Sequence, residues 1–229
     1  MVSSSFRARV RSGVEPIARV FGRVGLTPNA LTLIGFGIAI VGAWLATREL
    51  WLMAGLVIAF GAVFDLFDGA LARATNKVSK FGAFMDSTFD RAGEAVVYIG
   101  ISFGALLSGT DQVALIAAAA MAASFMVSYT RAKSDSLGFS SESGMGGVGL
   151  APREVRIVIL VIGLVLSGSG PLQLVPPPGS ICIDQCFESG YVVLPIALGL
   201  IAILATLTTI QRILFVYRQS KSTNQEVQE

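Results

Sequence analysis

Four aspartates lie close together in a chain that is otherwise poor in charge. Asp65 and Asp68 are three residues apart, and Asp86 and Asp90 are four residues apart. Residues at these spacings share one face of a helix, so each pair projects its carboxylates together. If both segments are helical, the short connection at residues 74–82 predicts that the two helices are antiparallel neighbours and that the two pairs face each other.

Neighbouring carboxylates repel one another unless positive charge joins them. The chain has no histidine, and its two cysteines, Cys182 and Cys186, lie in a separate loop where a disulfide or two free thiols both stay open. Only oxygen ligands are then available, which suits Mg²⁺ or Mn²⁺. Two such ions bridged by carboxylates clamp phosphoryl oxygens for in-line displacement. Without histidine, a general base at this site must itself be a carboxylate.

Two other interpretations of the aspartates stay open. They could form structural ion pairs with Arg73 and Arg91, although two arginines do not balance four acids. They could instead line a membrane cation pathway. An acidic pathway should continue across the membrane, however, and only Glu94 extends the series beyond Asp90. The excess of acids over arginines and the short extent of the acidic series favour a metal-dependent active site.

Apolar blocks predict the elements that position the aspartates. Of the 229 residues, 53% are hydrophobic and 14% are charged, whereas soluble domains carry about 25% charged residues. Six blocks approach the roughly 20 residues that a helix needs to cross a bilayer. We therefore predict an all-α integral membrane protein with six transmembrane helices. The blocks are residues 30–47, 50–71, 82–108, 112–132, 155–170 and 191–216.

The positions of Lys and Arg predict the orientation. Of the 17 such residues, Arg48 falls on one side and Arg91 inside the third span, and with six spans the other fifteen share the opposite side. The positive-inside rule then places both termini and the aspartates on the cytoplasmic side of the cell membrane. Residues 5–22 alternate apolar residues with arginines, a pattern typical of an interfacial amphipathic helix. The predicted organisation is an interfacial helix at 1–24, a six-helix membrane domain at 25–219 and a polar cytoplasmic tail at 220–229.

The spacing resembles the signature of the CDP-alcohol phosphatidyltransferases. The matching pattern is Asp65-x2-Asp68-Gly69-x2-Ala72-Arg73-x8-Gly82-x3-Asp86-x3-Asp90. The resemblance implies a membrane homodimer that transfers a phosphatidyl group from CDP-diacylglycerol to an alcohol and releases CMP. It also implies two Mg²⁺ or Mn²⁺ ions held by the four aspartates, with Asp90 as the catalytic base that takes the proton of the acceptor hydroxyl. It implies that Gly69 and Arg73 contact the CDP group, and a likeness to one branch of the family, the phosphatidylinositol-phosphate synthases, adds the positions of Asn29, Thr32 and Ser79 near the nucleotide.

Basic residues expected on the same side favour a phosphorylated acceptor. The candidates are Arg131, Lys133, Arg153, Arg156 and Arg212. The stretches that contain them resemble the phosphatidylinositol-phosphate synthase branch, which implies inositol phosphate as the acceptor and a phosphate contact for Arg156 and Arg212. Position 131 departs from that branch, because its bacterial members usually have Lys there. Glycerol-3-phosphate or another alcohol is therefore the alternative acceptor, and nothing in the sequence indicates nucleic-acid binding.

Overall fold

Six α-helices make up the part of the chain that the computed structural model describes, which is residues 20, 22, 25–75, 77–139, 149–169 and 192–226. No strand occurs within these residues, so the prediction of an all-α protein is confirmed. The helices are α1 (Pro28–Thr47), α2 (Trp51–Ala74), α3 (Lys80–Leu107), α4 (Asp111–Ser136), α5 (Arg153–Gly168) and α6 (Val193–Glu226).

Four helices are long and apolar enough to cross a membrane, namely α1, α2, α4 and the Val193–Lys221 part of α6. The chain is thus a multi-pass membrane protein, while the count of six spans stays a prediction. Helix α5 has only 16 residues, and α3 carries several charged residues. The predicted interfacial helix at 1–24 lies outside the described residues except for residues 20 and 22. Cys182 and Cys186 also lie outside them. Helix α6 continues into the predicted tail.

The helices pack in a closed ring whose order differs from the order of the chain. Going round the ring, α1 packs against α2, α2 against α5, α5 against α6, α6 against α4, α4 against α3, and α3 against α1. The prediction that the two aspartate-bearing helices are direct neighbours is therefore wrong, because α1 lies between α2 and α3. Small residues permit this close packing: a Cβ on Gly104 of α3 would lie only 2.5 Å from the carbonyl oxygen of Ala46 in α1.

Helices α1 and α3 both begin at the edge of the aspartate cluster, and side-chain caps fix where they begin. Thr27 Oγ1 accepts a hydrogen bond from Ala30 N at 3.2 Å, and Ser79 Oγ accepts one from Gly82 N at 3.0 Å. Such caps satisfy an N–H that has no partner within the helix. Pro28 occupies the first turn of α1, where its missing N–H costs nothing.

Candidate active site

Arg153 joins the two aspartate pairs. As the first residue of α5, it donates a hydrogen bond from Nη2 to Asp65 Oδ2 at 2.8 Å, and its Nη1 lies 2.9 Å from Asp90 Oδ1. A single guanidinium thus bridges a carboxylate of α2 and a carboxylate of α3, with a charge-assisted contact to each. The ring places α5 beside α2, which brings Arg153 to this position.

Asp68 faces α1 and is buried. Its Oδ2 accepts a hydrogen bond from Thr32 Oγ1 at 2.9 Å, and its Oδ1 accepts one from Gly69 N at 2.5 Å. Asp86 lies half-buried on α3, and its negative charge interacts with those of Asp65, Asp68 and Asp90. The structure therefore gathers all four aspartates into one cluster.

The aspartate cluster fits divalent cations by donor type and by charge. Among the described residues no three acidic side chains converge closely enough to hold a metal ion, and Arg153 lies between Asp65 and Asp90. A cation between two carboxylates marks a position that takes positive charge. Arg91 adds only a distant contact, 3.8 Å from its Nη1 to Asp90 Oδ2. Carboxylate oxygens in excess of nearby cations are the donors that Mg²⁺ and Mn²⁺ prefer.

Asn29 and Ser79, two of the residues predicted to lie near the CDP-lipid, meet at the junction of α1 and α3. A Cβ on Gly82 would lie 3.1 Å from Ser79 Oγ and 3.4 Å from Asn29 Oδ1. The capping hydroxyl of Ser79 and the amide of Asn29 thus lie at the start of the helix that carries Asp86 and Asp90. Their contact with CDP stays a prediction.

The remaining residues predicted for the CDP-lipid, Thr32, Gly69 and Arg73, lie on α1 and α2. Arg73 turns back along α2 toward Gly69, where a Cβ would lie 3.4 Å from Arg73 Nη1. Thr32 reaches the cluster from α1 through its hydrogen bond to Asp68. The side chain of Arg73 is exposed, so its guanidinium is accessible to an anionic ligand. Binding of the nucleotide by these residues also stays a prediction.

The arginines predicted to bind the acceptor phosphate lie in different environments. Arg156 is 1% exposed; its Nε and Nη2 donate to the two carboxylate oxygens of Glu94, each at 3.0 Å, and its Nη1 donates to the carbonyl oxygen of Ala151 at 3.0 Å. Arg212 is also buried and donates from Nη1 to the carbonyl oxygen of Val127. Both guanidiniums are therefore held in fixed orientations.

Arg131 and Lys133 lie at the exposed end of α4. The Nε of Arg131 is 3.9 Å from Asp135 Oδ2, a surface pair of small energetic weight. The positive charge of Arg212 interacts with those of Arg131 and Arg156. The structure thus gathers Arg131, Arg156 and Arg212 and places Arg153 directly among the acids, while their contact with phosphate stays a prediction.

A largely apolar cavity of about 60 Å³ opens beneath the aspartates, enough for a few water molecules. Asp65, Asp90 and Arg153 lie at its polar end, and Glu94 and Tyr98 are the other ionisable groups among the described residues that line it. Among the described residues of this lining, Glu94 is the acid that follows Asp90, and it is paired with Arg156. The apolar residues of the lining are Phe36, Ala39, Ile58, Ala62, Phe89, Val97, Ile157 and Leu160.

Two residues of this region were not assigned to the site from the sequence. From the sequence, Glu94 was only a possible extension of an acidic pathway, whereas in the structure it is the partner of Arg156. Gly35 lies one turn beyond Thr32 in α1, and a Cβ on it would lie 2.6 Å from Asp65 Oδ1. The three-residue spacing from Thr32 to Gly35 is the signal that could have placed Gly35 on the helix face toward the acids.

We expect Gly35→Ala to lower kcat about 10- to 100-fold while the protein remains folded. The new methyl group must push the flexible carboxylate of Asp65 aside, and a displacement of about an ångström in an active site has an effect of this size. Turnover by the purified variant, followed as release of the CMP that the resemblance implies, measures the change. Gly37→Ala is the matched control, since a Cβ there meets nothing within 4 Å. Equal activities of the two variants would contradict the importance of this contact.

Comparison with known proteins places the geometry in context. The CDP-alcohol phosphatidyltransferase family matches residues 25–217. The archaetidylinositol phosphate synthase of Pyrococcus horikoshii is 39% identical over 159 residues, which are 69% of this chain and 80% of that protein. The phosphatidylinositol phosphate synthase of Mycolicibacterium smegmatis is 30% identical over 203 residues, 87% of this chain and 81% of that protein.

Solved structures match over a similar extent. The crystal structure of Mycobacterium tuberculosis phosphatidylinositol phosphate synthase with CDP-DAG bound has a TM-score of 0.72 and 28% identity, covering 89% of this chain and 93% of that chain. The same protein in complex with manganese and citrate has a TM-score of 0.73 and 27% identity, covering 89% of this chain and 88% of that chain.

Proposed function

The chain belongs to the CDP-alcohol phosphatidyltransferase family, and from that premise we propose that it transfers a phosphatidyl group from CDP-diacylglycerol to inositol phosphate. It is an enzyme of phospholipid biosynthesis, and the products of the proposed reaction are phosphatidylinositol phosphate and CMP. The observation that carries the proposal is the cluster of four aspartates joined by Arg153, beside buried arginines. The aspartates suit metal ions that bind the pyrophosphate, and the arginines suit a phosphorylated acceptor. The two sets of side chains are adjacent.

The names of the relatives favour inositol phosphate as the acceptor, and the arginines of this chain favour a phosphorylated one. The archaeal and the bacterial relatives differ in the lipid part of their names, but both are named for an inositol phosphate product. In this chain, the positive charges of Arg131, Arg156 and Arg212 interact beside the acidic cluster. Neighbouring guanidinium groups suit a phosphate dianion by their charge, while Arg156 already uses its Nε, Nη1 and Nη2 for Glu94 and Ala151.

In the proposed mechanism, the side chains position and activate two reactants. Asn29, Thr32, Gly69, Arg73 and Ser79 hold the CDP group along the start of α1, the end of α2 and the start of α3. Two Mg²⁺ or Mn²⁺ ions, when bound by the four aspartates, supply the positive charge that polarises the pyrophosphate. A relative that binds manganese supports this assignment.

Asp90 takes the proton of the acceptor hydroxyl, since no histidine is available as a base. The hydroxyl oxygen forms a bond to the lipid-side phosphorus, and the bond from that phosphorus to the oxygen of CMP breaks. Arg153, Arg156 and Arg212 orient the acceptor through its phosphate, with Arg131 and Lys133 at the exposed edge of the same region. Proximity and charge placement account for the catalysis.

The proposed setting is the cell membrane, with both termini and the active site on the cytoplasmic side. The proposed organisation keeps an interfacial helix at 1–24, a six-helix domain at 25–219 and a polar tail at 220–229, assembled as a homodimer. The distribution of Lys and Arg supports this orientation. CDP-lipid and acyl chains then enter from the bilayer, and the charged acceptor enters from the cytoplasm.

We expect purified protein in lipid nanodiscs to release CMP from CDP-diacylglycerol on addition of inositol phosphate and Mg²⁺. Chelation with EDTA should abolish release, and Mg²⁺ or Mn²⁺ should restore it, because the aspartates then lose and regain their counter-charge. Parallel reactions contain glycerol-3-phosphate, unphosphorylated inositol, or a CDP-linked ether lipid as donor. CMP release with glycerol-3-phosphate but not with inositol phosphate would overturn the proposed acceptor.

A further inference from the structure

We propose that Thr208 of α6 is a positioning residue that holds the turn at residues 149–152 and thereby sets the spacing of the arginines for the acceptor phosphate. This inference rests on the proposed function, because it assigns Arg153, Arg156 and Arg212 to one ligand. It concerns a threonine that lies outside the family signature, in the last helix of the chain.

Every hydrogen-bonding capacity of the Thr208 hydroxyl is used. Oγ1 accepts from Leu150 N at 3.1 Å and from Ala151 N at 2.9 Å, and it donates to the carbonyl oxygen of Leu204 at 2.8 Å. A threonine hydroxyl has one donor and two acceptor positions. Thr208 and Ala151 are both 0% exposed, so water cannot replace the bond between them.

The turn lies directly on Thr208. Gly149 has φ +122°, and a Cβ on it would run into the side-chain methyl of Thr208. Only glycine adopts this backbone conformation readily, and a larger residue here would also collide with Thr208. Leu150 and Ala151 then donate to the hydroxyl, and Arg153 begins α5 two residues later.

Hydrogen bonds continue from the turn to the arginines. The carbonyl oxygen of Ala151 accepts from Arg156 Nη1, while the other two bonds of Arg156 go to Glu94 on α3. Thr208 is thus linked through Ala151 and Arg156 to Glu94, which connects α6, the turn, α5 and α3. The position of the turn also sets where Arg153, as the first residue of α5, projects into the aspartate cluster.

Thr208 also lies one helical turn before Arg212, so the two residues share a face of α6. Both are buried, and Arg212 is bonded to Val127 on α4. Helix α6 therefore contains Arg212 and also contacts the turn that leads into α5, the helix that contains Arg153 and Arg156. Loss of the hydroxyl would let the turn move relative to α6 and change the distance from Arg212 to Arg153 and Arg156.

The test compares Thr208→Val with Thr208→Ser and Thr209→Val. Valine has nearly the shape of threonine but can make no hydrogen bond, whereas serine keeps the hydroxyl. Thr209 is the matched control, because it is buried on the same helix and its hydroxyl has no hydrogen-bond partner among the described residues. For each protein in nanodiscs, KM and kcat are measured for both substrates, and affinity for inositol phosphate is measured by calorimetry without CDP-lipid.

We expect Thr208→Val to raise KM and Kd for inositol phosphate by about 10- to 100-fold and to change KM for CDP-diacylglycerol less than about twofold. Thr208→Ser should recover most of the affinity, and Thr209→Val should behave as the unmodified protein. Equal effects of the two valine variants, a fall in kcat alone, or a parallel rise of both KM values would overturn the proposal. If the unmodified protein uses glycerol-3-phosphate instead, the proposed acceptor fails, while the KM of Thr208→Val for that compound still tests the positioning role.

Discussion

Asp90→Asn is expected to lower kcat for CMP release by about 10³-fold while CDP-diacylglycerol still binds. Asparagine keeps the shape of the side chain but cannot accept the hydroxyl proton, and removal of a general base has an effect of about 10²- to 10⁴-fold. Asp90 is also the acid that shares Arg153 with Asp65, so the substitution removes one carboxylate from the cluster without emptying it. Initial rates and a separate CDP-lipid binding measurement distinguish the two effects.

Asp111→Asn is the control for this substitution. Asp111 is an exposed acid in the first turn of α4, outside the aspartate cluster, so its loss should leave kcat within about twofold. Unchanged turnover of Asp90→Asn, with a change in stability only, would show that the aspartates form structural ion pairs rather than an active site. Cation flux through liposomes without any nucleotide lipid would instead support a pathway.

Glu94→Gln should lower the stability of the protein by about 3–5 kcal/mol, the largest stability effect expected at this site. Glu94 and Arg156 form a two-bond ion pair with side chains 5% and 1% exposed. Removing one partner leaves the other charge buried without compensation, which has a cost of this size. Equilibrium unfolding in mixed detergent and lipid micelles measures the change, with Glu154→Gln, an exposed acid in the first turn of α5, as the control.

A double variant separates stability from function at the same pair. Glu94→Leu combined with Arg156→Met replaces both charges with apolar side chains of similar size, which is often neutral for stability. We expect the free energy of unfolding of this variant to be close to that of the unmodified protein. Its affinity for inositol phosphate should fall, because Arg156 is proposed to bind the phosphate. Recovery of both stability and acceptor affinity would show that the ion pair has a structural role alone.

Local spacing was enough to predict the chemical character of the site. The intervals from Asp65 to Asp68 and from Asp86 to Asp90 depend only on the helical repeat. The apolar blocks that flank them depend on the length of a bilayer-spanning helix. Helices α1 to α5 therefore begin and end near the predicted blocks, and α6 begins near its block but continues to Glu226. The family pattern could be identified from spacing alone.

The packing of the helices could not be predicted in the same way. A short connection between α2 and α3 suggested that they are direct neighbours, yet α1 packs against both. That arrangement depends on the close approach of backbones at small residues such as Gly104 and Ala46. Small residues are frequent throughout membrane helices, so their presence does not indicate which pair of helices will meet.

The roles of the arginines show the same division. Charge placement along the sequence indicated that Arg153 and Arg156 lie on the side of the aspartates, and it could not distinguish between them. Their partners, Asp65 and Glu94, are 88 and 62 residues away in the chain. Only the ring of helices decides that Arg153 bridges the acids whereas Arg156 is buried against Glu94. The sequence by itself determined the residue types and their local periodicity, and the tertiary structure decided the partners, because contacts between distant segments depend on the shapes that meet.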